Sequence, residues 1–466
     1  MRTTNRIIIG VLVGLTFAAG YAARLKCTAN ERIVARQRSS VSVLSRGTSI
    51  ASLSLEGAGN IDFRPVETLY SVLKNLREHY VDQLTSKDEG KMTYDAMKAM
   101  LSWFNDPNTR FVEPEQRRII EDSLEGKFHG IGVVLGIKQI KVDGITNEHL
   151  LVITPIASGP AAAAGLRTGD DIVAIDGRAV LPTDPYKKAN KVVNEFRENR
   201  DKNSNTQTEL KKYLDAEGKK IEAGITIPDA ESLLISQDKK SMELTVARKG
   251  EAKQLKIKIT PREFTVDPVT ASVIDNGKYG HVRINCLCQT TGRKFWEAIE
   301  DLKSREVRGM VIDLRNLAGG DVEAAIDVAR RFAPEKTFAV LVKSRNRRST
   351  LPIPAATVEE MWSKPVVVLV NRGTSRVPEV LASALKDNGG AKLVGQRTYG
   401  DFGYSTLIGQ RDGSAVMMTT GMFLTSQSKN YSGKGLPVDV EVTAGSAGDA
   451  QLSEAVKLLG SAGGKS

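Results

Sequence analysis

Between residues 280 and 395, short apolar runs alternate with amphipathic stretches: "GHVRINCL", "GRKFWEAIEDLKS", "VRGMVIDLR", "DVEAAIDVARRF", "TFAVLVKS", "KPVVVLVN", "PEVLASALKDN" and "AKLVG". A strand with one wet face alternates polar and apolar residues. "VVVLV" is apolar throughout and needs cover on both faces. The intervening stretches repeat their apolar residues at helical spacing. The pattern predicts a sheet covered by helices on both faces, the α/β class.

One such core does not account for 466 residues, so two or three domains are expected. Residues 28–60 are rich in Ser, Arg and Gly and read as a linker. Residues 61–127 read as a helical region. Val66, Leu69, Tyr70, Leu73 and Leu76 line one helical face, and Met97, Met100, Leu101 and Phe104 line another. At 128 the texture changes to short strands, "FHGIGVVLGI", "LLVITPI" and "DDIVAIDG". "MELTVARKG" and "KQLKIKITPRE" close this β-rich unit at 262. A charged stretch at about 185–240 interrupts it and is expected to be mainly helical. The strand-and-helix core then occupies 263–466.

The net charge of +11 suits an anionic surface. However, Lys and Arg interleave with Asp and Glu, as in "KKANKVVNEFRENRDKNSNTQTELKKYLDAEGKK" (187–220), which reads as a solvated helical surface. Nucleic acid is therefore not an expected partner. Three cysteines, Cys27, Cys286 and Cys288, make no disulfide framework. A strand through "HVRINCLC" would set Cys286 and Cys288 on one face, poorly placed to bond each other. The four histidines, His79, His129, His149 and His281, lack ligand spacing, so neither a metal nor a cofactor is expected.

The chain begins with the basic "MRTTNR" and continues with 17 uncharged, mostly apolar residues at 7–23. Residues 1–27 read as a signal peptide or membrane anchor. Lys26 before Cys27 departs from a lipoprotein pattern. Export to the periplasm or cell envelope is expected, with membrane attachment if the segment is retained.

"GIGV" (130–133) opens a strand, and "GPAAAAGLRTGDDIVAIDG" (159–177) follows. Together they resemble a PDZ domain. The resemblance implies that N–H groups at Gly130, Ile131, Gly132 and Val133 receive the C-terminal carboxylate of a peptide that adds as a strand.

The order of the motifs adds a second resemblance. "DPNTRFVEPE" (106–115), the PDZ-like unit, "VIDLRNLAGG" (311–320), "VVVLVNRGTSRVPEVLASAL" (366–385), "LVGQRTYGDFG" (393–403) and "GKGLPVDVEV" (433–442) run in sequence. Over roughly residues 64–442 this resembles the C-terminal processing peptidases, or tail-specific proteases. The resemblance implies a ClpP/crotonase-like peptidase core with an inserted PDZ domain. In that family a Ser at a strand-to-helix elbow attacks the peptide carbonyl, and a Lys takes its proton.

Carried over residue by residue, Asn371, Gly373 and Glu379 fit the elbow, and the nucleophile position falls on Arg376. Thr398, Tyr399, Gly400 and Gly403 bracket the base position, which holds Asp401, and the third position, a Gln in the family, holds Ser405. The oxyanion-hole positions are Gly319 and Val377, although "NLAGG" lacks the family's Pro. A guanidinium offers five donors and no lone pair to attack with. The scaffold therefore reads as kept and the dyad as replaced by an ion pair.

The function this implies is an exported, inactive relative that binds protein or peptide C-termini, with an active peptidase or an envelope protein as candidate partners. The alternative is an active serine endopeptidase with a displaced nucleophile. Ser375 adjoins the elbow position, whereas Lys392 falls on the wrong element for a base. A third class is a structural envelope protein that assembles through the 185–240 excursion.

Overall fold

The structure is a computed structural model that describes residues 64–462 apart from 105, 107, 143–144, 157, 183–184, 199–203, 237–239, 344–346 and 444–448. The expected leader, the linker and Cys27 lie outside the described residues. Among the described residues, no helix is long and apolar enough to cross a membrane.

The first elements are α1 (Arg64–His79), α2 (Ser86–Ser102), β1 (Arg110–Val112) and α3 (Pro114–Leu124). A reciprocal Thr85–Asp88 capping box starts α2. The apolar faces read from the sequence exist, yet Val66, Leu69, Tyr70, Met100 and Phe104 are exposed. Leu101 is buried on α2, and α1 buries nothing.

A two-stranded ribbon, β2 (Lys127–Phe128) with β10 (Phe264–Thr265), carries the chain into and out of a second unit. Between them run β3 (Val133–Val142), β4 (Ile145–Pro155), α4 (Pro160–Ala163), β5 (Asp171–Ile175), β6 (Arg178–Leu181), α5 (Lys187–Glu198), α6 (Ser204–Ala223), β7 (Ile225–Thr226), α7 (Ile227–Ile235), β8 (Met242–Ala247) and β9 (Leu255–Ile259). These seven strands, β3 to β9, form one sheet, in which β5 pairs with both β4 and β8. Strands before and after the charged excursion thus share a core. The excursion is helical but shorter than its charge pattern implied. Ile227, Ala230 and Leu234 recur at helical spacing and are fully enclosed, so α7 belongs to the unit's core.

The third region contains β11 (Val269–Ile274), β12 (Tyr279–Ile284), α8 (Thr291–Ser304), β13 (Met310–Asp313), α9 (Val322–Ala329), β14 (Thr337–Lys343), β15 (Arg347–Pro352), β16 (Val366–Val370), α10 (Val377–Gly389), β17 (Lys392–Gly395), β18 (Gly403–Gly409), β19 (Ala415–Thr425), β20 (Val440–Glu441) and α11 (Ala450–Ala462). Six strands form a sheet in the order β11-β12-β13-β16-β17-β20, parallel from β12 onward. Met310 and Ile312 pack with α8, α9 and α10, while Val311 packs with α11. The alternation of faces along β13 is why Met310, Val311 and Ile312 are all apolar. A second sheet, β1-β19-β14-β15 with β18 on β19, packs against α10. Through β1 it brings the "DPNTRF" stretch to the core, with Phe111 opposite Val416.

Candidate functional site

β16 ends inside the core, and the chain turns sharply before α10. Polar groups of the turn are tied to the loop after β13. Thr374 Oγ1 donates to the Leu314 carbonyl (2.8 Å), and Asn371 Nδ2 donates to Asn316 Oδ1 (2.8 Å). The Asn371 side-chain oxygen accepts the N–H groups of Asn316 and Gly373, both at 2.9 Å. Ser375 N–H donates to the Leu317 carbonyl (3.0 Å), and Gly319 N–H donates to that of Ser375 (3.2 Å). Arg376 then takes φ 63°, ψ −124°. A non-glycine residue there costs about 1–3 kcal/mol and persists where its surroundings over-determine it.

The Arg376 side chain is only 2% exposed. Its Nε donates to Asp401 Oδ2 (2.8 Å), and Nη2 donates to Asn108 Oδ1. Asn108 Nδ2 reaches the same Asp401 oxygen at 3.4 Å. Asp401 Oδ1 accepts the Gly403 N–H (3.0 Å), which orients the carboxylate at the start of β18. Three segments far apart in sequence meet at one guanidinium.

Glu379, in the first turn of α10, is fully enclosed. One oxygen accepts the Gly400 N–H (2.7 Å) and the Thr398 hydroxyl, while the other accepts the N–H groups of Asp401 (2.9 Å) and Arg376 (3.0 Å). Burial pushes its carboxyl up to about 8, against the lowering effect of hydrogen bonds from Thr398, Gly400 and Arg376. Burial and the nearby Asp401 carboxylate also raise Tyr399. Asp313 closes β13 from below: burial opposes its ionisation, yet hydrogen bonds from His281 and Arg315 hold it below the usual range.

Residues 278–442 match peptidase family S41. Over 380 residues the chain is 29% identical to the chloroplastic C-terminal processing peptidase of Tetradesmus obliquus, covering 79% of this chain and 71% of that protein. Over 398 residues it is 28% identical to the carboxyl-terminal-processing protease of Synechocystis sp., covering 82% and 80%. The solved photosystem II D1 C-terminal processing protease superposes with a TM-score of 0.55 at 24% identity, covering 84% of this chain and 90% of that one.

Residues 278–442 form a peptidase family S41 domain.

Within this S41-matching region, the strained elbow residue and its partner are the two residues that motif spacing singled out, Arg376 and Asp401, in direct contact. Gly319, expected at the oxyanion hole, has its N–H committed to Ser375, and Val377 is fully enclosed. Ser405, on β18, is buried, and its hydroxyl has no hydrogen-bond partner among the described residues. The same is true of Ser375 Oγ, so no base stands against it. Lys392 is exposed at the start of β17.

The Gly130–Val133 loop lies in the β-rich unit, apart from Arg376 in sequence. Gly130 has φ 81°, and a Cβ there would stand 2.3 Å from the Leu234 carbonyl oxygen. The Ile131 N–H donates to that carbonyl at 3.0 Å. One of the four expected carboxylate donors is thus held by α7. Asn108 lies within "DPNTRF", and no local pattern marks it, because its partners Arg376 and Asp401 lie 268 and 293 positions away. Glu379 was matched to the family pattern, but only the hydrogen bonds reveal that it joins the elbow to the Asp401 loop.

Proposed function

We propose that this chain is an S41 relative that captures protein C-termini and does not cleave them. The observation that carries the reading is the Arg376–Asp401 ion pair, enclosed at the strained elbow where the family resemblance puts the nucleophile and base. A paired guanidinium supplies neither a nucleophile nor a proton acceptor. Binding falls to the PDZ-like unit, residues 128–262, through the Gly130–Val133 loop. A ligand carboxylate there competes with the Leu234 carbonyl for the Ile131 N–H. The basic start and the apolar 7–23 stretch support export to the periplasm or envelope, and retention of that stretch would add membrane attachment. An active peptidase or an envelope protein fits as partner.

The test compares an unstructured, apolar-tailed peptide ending in a free acid with its C-terminal amide. The acid should bind more tightly by about 1–3 kcal/mol, the scale of a charge-assisted hydrogen bond. Equal affinities would reject carboxylate capture. A serine-directed phosphonate should leave the wild type unlabelled. The alternative of a displaced nucleophile predicts stoichiometric labelling at Ser375, lost in Ser375→Ala.

A further inference from the structure

The second sheet of the core ends on β15, which pairs with β14 and with no other strand among the described residues. Its residues Arg347, Arg348, Ser349 and Thr350 are all exposed. Hydrogen bonds fix which of its backbone groups face outward. On β19, Phe423 and Thr425 donate their N–H groups to the Phe402 and Lys429 carbonyls, away from Leu341 and Ala339, their β14 partners. In an antiparallel ladder a residue that does not bond one neighbour bonds the other. Leu341 and Ala339 therefore turn to Ser349 and Leu351 of β15. Ile353 continues that inner side, donating its N–H to the Lys336 carbonyl and accepting the Glu335 N–H. Arg348 and Thr350 are left with N–H and carbonyl groups directed outward. Pro352, which has no N–H to leave unpaired, stands on the same outer side. Such an edge is a template for a further strand. Arg347 and Arg348 are adjacent, so their side chains project from opposite faces of the sheet. Neither has an ion-pair partner among the described residues. Lys343, opposite Arg347 on β14, is exposed as well.

We propose that β15 docks an extended acidic segment of a partner protein, which joins the sheet as an outer strand. Backbone pairing at Arg348 and Thr350 supplies affinity that depends little on sequence, and the arginines supply the selection. Side chains of the added strand also alternate between faces. Two consecutive acidic residues therefore place one carboxylate near Arg347 and the other near Arg348. Ser349 and Thr350 carry no charge, so the rest of the segment suits small or β-branched residues. Charge also decides against a second copy of this chain on the edge. Pairing β15 with itself would gather two arginines from each copy into one short ribbon, and the chain as a whole already carries +11. The strand belongs neither to the Gly130–Val133 loop nor to the Arg376 elbow, and the proposal does not rest on C-terminal capture.

The probe is a short peptide with a central Asp-Glu pair flanked by Val and Thr, labelled with fluorescein at its N-terminus and amidated at its C-terminus. Amidation removes the terminal carboxylate, so failure here and failure of C-terminal capture are separate results. Titrated with full-length wild type, its anisotropy should saturate, and affinity should fall as salt rises from about 50 to about 500 mM. Combining Arg347→Glu with Arg348→Glu should weaken binding at least about tenfold, because like charges then face each other. An Asn-Gln version of the peptide should bind wild type several-fold more weakly. Thr350→Pro removes one outward N–H at a position where a sheet edge tolerates proline, and should weaken binding about two- to tenfold. A second measurement needs only wild type: peptides N-methylated on alternate backbone nitrogens, in the two possible phases. One phase should abolish binding and the other should leave it. No binding up to about 1 mM, equal affinity for the charge-reversed variant, or equal loss in both methylation phases would overturn the proposal. Concentration-dependent dimers that disappear with Thr350→Pro would put a second copy on this edge and overturn it equally.

Discussion

At Arg376, one guanidinium is shared between Asp401 and Asn108 in a nearly enclosed site. Removing one member of a buried pair leaves the other charge desolvated and unpaired, a loss of about 3–5 kcal/mol. Arg376→Ala and Asp401→Ala should each be costly, while the double variant should lose about 1–3 kcal/mol less than their sum. Urea unfolding of the four proteins measures this, and simple additivity would contradict the pair. Glu379 makes a separate prediction. Its carboxyl titrates near 8 in the fold, against an ordinary value of 4.5. Between those values the folded state holds a proton that the unfolded chain has released, so stability falls as pH rises through that window. Unfolding midpoints should drop between about pH 5 and pH 8, and Glu379→Gln should flatten the drop. Arg376 and Asp401 were legible because fixed glycines on either side set their register. Asn108 was not, since its contacts depend on tertiary return of the chain.

The elements were mostly readable where one periodicity ruled. β16 is apolar at every position and β13 at all but its last, Asp313, and both faces of each are covered. The 185–240 stretch mixed two signals. Its charges describe α5 and α6, but Ile227, Ala230 and Leu234 form a buried stripe that charge counting concealed. Leu234 is 1% exposed, and its carbonyl receives the Ile131 N–H. Leu234→Ala should therefore cost about 2–5 kcal/mol of stability in the β-rich unit. Thermal unfolding followed by a probe in 128–262 would record it, and a change within about 0.5 kcal/mol, usual for surface positions, would contradict the placement of α7. The end of β12 was misread because "INCLC" is apolar enough to continue a strand. Asn285 N–H still meets the Pro268 carbonyl (2.8 Å), but Pro268 has no N–H to extend the ladder, and the Cys286 carbonyl instead accepts the Thr291 hydroxyl (2.9 Å).

Across the whole molecule, the motif order in the sequence corresponds to segments converging from three regions: "DPNTRF" through β1, the elbow after β16, and the Asp401 loop before β18. The strained elbow, the Arg376–Asp401 pair and the Glu379 hydrogen bonds meet within the region that matches peptidase family S41. That combination supports capture without hydrolysis, and one measurement tests it most directly. Full-length wild type is incubated at stoichiometric concentration with an unstructured polypeptide bearing an apolar C-terminal tail, and the polypeptide's mass is followed over days. The account predicts that it stays intact, with wild type indistinguishable from Ser375→Ala. A ladder of C-terminal truncations that appears with wild type and vanishes with Ser375→Ala would contradict it.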